Sequence, residues 1–70
     1  MSTTDDDTTR ISRAMGEIGS ALETLGRDGK LRDRGTLFER FRHVARKDDT
    51  QSMAHDMEQL AKDARRAAAG

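Results

Sequence analysis

An all-α fold is what this chain predicts, and three observations carry that expectation. Two segments place apolar residues in helical rhythm: Ile11, Met15, Ile18, Leu22 and Leu25 near the start, and Met53, Met57, Leu60, Ala64 and Ala67 near the end. Both step 4-3-4-3, which keeps side chains on one stripe of an α-helix. No stretch alternates with a period of two, and proline is absent, so nothing reads as a strand. The expected architecture is a small two- or three-helix antiparallel bundle with a disordered N-terminal tail, stabilised by oligomerisation.

The tail is read over residues 1–9, where four threonines and the run Asp5, Asp6, Asp7 leave no apolar side chain after Met1. Asp7, Thr8 or Thr9 then serves as N-cap for a first helix over 10–25, its acids favourably placed at a helix N-terminus. Gly26 and Gly29 supply the residue type that ends helices. Gly16 and Gly19 inside this helix, with Ser12 and Ser20, form a strip of small side chains beside the apolar stripe. A second backbone can approach such a strip closely. Tolerated glycine in a weak helix is the plain alternative.

Residues 26–35 read as a charged, glycine-punctuated connector anchored only by Leu31. Thr36 and Glu39 are spaced as a capping box, so a second helix is expected over 36–47. Leu37, Phe38, Phe41, Val44 and Ala45 define its apolar face, and both aromatic residues of the chain lie there, making this helix the expected centre of the core. Asp49 or Thr50 opens a third helix over 50–68, whose last turns combine alanines with Lys62, Arg65 and Arg66, as the macrodipole favours.

Composition narrows the function. The 70 residues are 33% hydrophobic and 37% charged, too few apolar side chains for a generous core, and with no cysteine neither disulfides nor thiolate metal sites are available to compensate. Oligomerisation or folding against a partner remains. The lack of cysteine fits a reducing, cytoplasmic setting, and no signal peptide or membrane span is read from the sequence. His43 and His55 fall on different helices and match no metal or general-base pattern, so neither metal, cofactor nor enzymatic activity is expected.

Two binding readings compete. The apolar stripes make a protein partner the first expectation, with Ile11, Met15, Ile18, Leu22, Met53 and Met57 as contact residues and a role as regulator, inhibitor or adaptor. The rival starts from uneven charge: residues 1–25 are net −3, 26–47 net +5 and 48–70 net −2. In that reading Arg32, Arg34, Arg40, Arg42, Arg46 and Lys47 neutralise nucleic-acid phosphates. A helix-turn-helix variant would put Gln51, Ser52 and His55 at the leading end of a recognition helix, but Asp48 and Asp49 bring carboxylates to the end that must approach phosphate.

Overall fold

The computed structural model describes the backbone of residues 3–70 and the side chains of residues 6–70. It contains three helices and, among the described residues, no strand: α1 (Thr3–Arg27), α2 (Leu31–Ala45) and α3 (Thr50–Ala69). At ~1.5 Å per residue α1 is ~37 Å long and sets the 41 Å long dimension of the molecule.

The start of α1 corrects the expected tail. Residues 3–9 form its first two turns, so Asp7, Thr8 and Thr9 are interior helical positions and not caps; residues 1–2 lie outside the described residues. Asp7 is only 6% exposed, its carboxylate 3.6 Å from the Arg10 guanidinium one turn on. Acidic side chains are favourable in the first turns of a helix, which offsets the modest propensity of threonine.

The end of α1 lies past Gly26. The N–H of Lys30 donates to the Leu25 carbonyl at 2.8 Å and that of Gly29 to the Gly26 carbonyl at 3.3 Å, a Schellman closure. It requires a left-handed residue at the penultimate step, and Gly29 supplies it with φ of +79°. The expected connector over 26–35 is therefore a turn of three residues.

α2 begins at Leu31, and Gly35 and Thr36 lie inside it. The capping box is thereby overturned: the Thr36 hydroxyl donates backwards to the Arg32 carbonyl at 3.1 Å, and Glu39 pairs with Arg42 at 3.4 Å. α3 is capped by Asp49, whose carboxylate accepts from the Gln51 N–H at 3.2 Å and the Ser52 hydroxyl at 2.8 Å.

The core lies between α1 and α3 and is built largely of alanine. Ala14, Ile18, Ala21 and Leu25 of α1 meet Met57, Leu60, Ala61 and Ala64 of α3, with Leu37 of α2 closing one side. The buried stripe of α1 thus steps through Ala14 and Ala21, one residue away from the Met15 and Leu22 of the expected stripe. Small side chains let two helix backbones approach closely, and the large ones flank the seam. The expectation that Phe38 and Phe41 form the core centre is corrected as well. Phe38 is 49% exposed and Phe41 only packs on the edge.

Ion pairs report the helix directions. Arg10 meets Glu58 and Arg65 meets Glu17, both at a separation of 48 residues, so α1 and α3 run the same way. Arg40 with Asp63 and Lys47 with Asp56 advance in opposite senses along α2 and α3.

Candidate functional site

Burial divides the six residues expected to contact a protein. Ile18 and Met57 are fully buried, and Ile11, Leu22 and Met53 pack against the core with part of their surface exposed. Met15 alone of the six is openly presented, at 44%. Four of the six thus lie partly or wholly at the surface, but not on one face: Met53 is on α3 and the others on α1.

What the fold does assemble is a groove between α1 and α2. Gly19, Leu22, Glu23 and Gly26 form its α1 wall, and Leu31, Arg34, Gly35 and Phe38 form its α2 wall. Helical spacing explains both rows, since 19, 22, 26 and 31, 35, 38 each step by three or four residues. Met15 lies on the same line of α1, four residues before Gly19. Leu31 is 63% exposed. Phe38 is held from behind by Phe41, ring centroids 6.5 Å apart and planes inclined by 24°. One aromatic is therefore anchored to the body while its neighbour faces water.

Glycine shapes the walls. A Cβ at Gly19 or Gly35 would stand in open space, so the groove is unobstructed at both positions. Gly26 is different: Arg34 Nη1 would lie 3.0 Å from a Cβ there, so the arginine lies across α1 at the end of the groove. Glu23 pairs with Arg27 at 3.4 Å on the outer edge. The small-residue strip also includes Gly16, where a Cβ likewise meets nothing within 4 Å.

Half of the candidate phosphate contacts of the basic segment are engaged in internal pairs. Arg40 reaches Asp63 at 2.9 Å, Lys47 reaches Asp56 at 3.0 Å and Arg42 reaches Glu39 at 3.4 Å. Of the six candidate phosphate contacts, Arg32, Arg34 and Arg46 make no ion pair among the described residues. At the head of α3 the Ser52 hydroxyl is held by Asp49, whose carboxyl is lowered below the usual range first by that bond and then by the Gln51 N–H. A carboxylate with a strengthened preference for its charge is a poor neighbour for phosphate.

The remaining titration shifts belong to the scaffold. Arg10 Nε donates to Glu58 Oε2 at 3.2 Å and Nη2 to Oε1, a two-pronged pair that lowers the Glu58 carboxyl and raises Arg10. His43 lies with Glu39, Arg42 and Arg46 in a shallow polar depression on α2, and His55 is exposed on α3. Among the described residues no group of three or more His, Cys, Asp or Glu is arranged to hold a metal ion. Among the described residues no helix is long and apolar enough to cross a membrane.

Sequence reasoning missed Leu31, Phe38 and the glycines at 26 and 35 as one surface, because it assigned Leu31 to a connector and Phe38 to the core. The alanine seam held the missing signal: residues 14, 21, 54, 61 and 64 repeat with helical spacing and mark which faces are occupied. The chain matches no protein-family model, no curated protein and no solved structure.

Proposed function

We propose that this is a non-enzymatic helical protein that acts by binding another protein, as a regulator, inhibitor or adaptor, and that the groove between α1 and α2 is its contact surface. The observation that carries this reading is the alignment of Leu22, Leu31 and Phe38 along one open groove while the core is completed elsewhere by alanine. Apolar surface removed from water contributes ~25 cal/mol per Å2, so covering one leucine is worth ~1.5–3 kcal/mol and an exposed ion pair ~0–1 kcal/mol. Such binding needs neither metal nor cofactor, and a chain without cysteine suits the cytoplasm.

Affinity purification from the native host tests this with three baits: the unaltered chain, Leu31→Asp, and the double variant Arg32→Glu with Arg46→Glu. The expected result is a protein recovered in stoichiometric amount, lost with Leu31→Asp and retained with the double variant. Recovery of nucleic acid in a salt-sensitive manner, lost with the double variant and kept with Leu31→Asp, would replace the protein-binding reading with the phosphate-binding one.

A further inference from the structure

We infer that α2 is a strap that detaches from the α1–α3 pair as one piece, that Arg40 and Lys47 latch it through Asp63 and Asp56, and that salt loosens the latch. Leu31, Arg34, Gly35 and Phe38 of α2 form one wall of the groove, so the same step takes the groove apart. The inference concerns the fold and holds whatever the groove binds.

The face that α2 turns to the body is defined by its contacts. Leu37 is buried, Phe41 and Val44 pack on the core, and Arg40 and Lys47 reach α3 at 2.9 and 3.0 Å. Positions 37, 40, 41 and 44 lie on one helical stripe, and 47 continues it just past the end of α2. On α3 the two acceptors, Asp56 and Asp63, lie four residues before and three after Leu60, so the stripe that α2 covers runs through a leucine wholly removed from water.

The rest of the molecule closes without α2. α1 and α3 share their own seam, in which Ala14, Ile18 and Ala21 meet Met57, Ala61 and Ala64, and their own ion pairs, Arg10 with Glu58 and Arg65 with Glu17. The helix ends that adjoin α2 are finished by local bonds: the Lys30 N–H donates to the Leu25 carbonyl at the end of α1, and the Asp49 carboxylate caps α3. Gly29, with φ of +79°, lies in one connection, and residues 46–49, which belong to no helix, form the other. The chain can therefore bend on both sides of α2 without unwinding a neighbour. An element held by so few buried apolar contacts opens at a lower free energy than the whole molecule.

The latch is electrostatic and wet. The four side chains of the two pairs are between 36% and 47% exposed, and ion pairs in that setting are screened by salt.

Native-state amide exchange followed by NMR tests this on the unaltered chain, on the double variant Arg40→Gln with Lys47→Gln, and on Glu58→Gln. Amides of residues 37–44 should share one protection level, about tenfold or more below that of the middle of α1 and α3. Removing the latch should lower that level about two- to tenfold. Raising sodium chloride from about 0.01 M to about 1 M, which shortens the Debye length from about 30 Å to about 3 Å, should lower it in the unaltered chain and much less in the double variant. Glu58→Gln breaks a pair that the open state keeps, so it should reduce protection in α1 and α3 and leave α2 unchanged. Equal protection in all three helices, or a loss in α2 that matches the loss in α1 and α3 for Glu58→Gln, would show one cooperative unit and overturn the inference. Protection that fades gradually along α2 would reject release as one piece, and a double variant with unaltered α2 protection would reject the latch.

Discussion

The same residue type carries opposite signs at different places in this chain. Gly29 holds a φ of +79° at the end of α1, so Gly29→Ala forces a Cβ into the left-handed region and should cost about 1–2 kcal/mol, read as a lower urea midpoint. Gly16 and Gly35 have helical backbones and open space at Cβ. Replacing either by alanine should raise stability by about 1 kcal/mol in the same assay. From sequence alone Gly29 and Gly35 both read as breakers in a charged connector and Gly16 as a glycine inside a helix, and φ distinguishes the one that must be glycine. Carboxylates give a second residue-scale expectation. Glu58, held by Arg10, and Asp49, held by Ser52 and Gln51, have folded-state pKa values below those of the unfolded chain. Their stabilisation is present above the ordinary carboxylate range, near pH 4, and is lost as pH falls through the lower folded values. The denaturation midpoint should therefore drop on acidification, and Glu58→Gln should reduce that drop.

At the scale of elements, α1 and α3 form the stable unit and α2 is the loosely held one. α2 contributes Leu37 as its single fully buried residue, whereas α3 alone buries Ala54, Met57, Leu60, Ala61 and Ala64. Amide exchange should accordingly be slowest in the middle of α1 and α3 and faster throughout α2. Leu60→Ala removes a side chain with no exposure and should cost about 2–5 kcal/mol, a large part of the ~4–10 kcal/mol available to a chain of this size. Leu31→Ala should leave the thermal midpoint nearly unchanged, since Leu31 is mostly in water. The helical character of all three segments was legible because apolar rhythm survives any choice of partner face. The boundaries of α2 were not. Thr36 and Glu39 have the spacing of a capping box, but the pattern is equally satisfied inside a helix, where threonine donates to the carbonyl of Arg32. The buried side of α1 was legible at Ile18 and Leu25, but the centre of its stripe lies one residue away from the expected one. Large side chains were taken as the seam, whereas close approach of the helices selected Ala14 and Ala21 and pushed Met15 and Leu22 to its margin.

At the scale of the whole molecule, α2 is too short to cover all of α1. α2 spans 15 residues against the 25 of α1, and its large apolar residues divide between Leu37, Phe41 and Val44, which pack on the core, and Leu31 and Phe38, which are exposed. Two cations of the basic third are joined to the acidic C-terminal third, through Arg40 with Asp63 and Lys47 with Asp56. Charge segregation in the sequence thus reports the packing of α2 on α3. The candidate surface could not be read from the chain because it depends on which apolar residues remain uncovered after the alanine seam forms. Photo-crosslinking in the native cell tests the central claim most directly, with a benzophenone side chain placed at position 38 in the groove or at position 43, which is exposed on α2 away from it. A discrete covalent protein adduct is expected from position 38 and none from position 43. Adducts from position 43 alone, to protein or to nucleic acid, would contradict it.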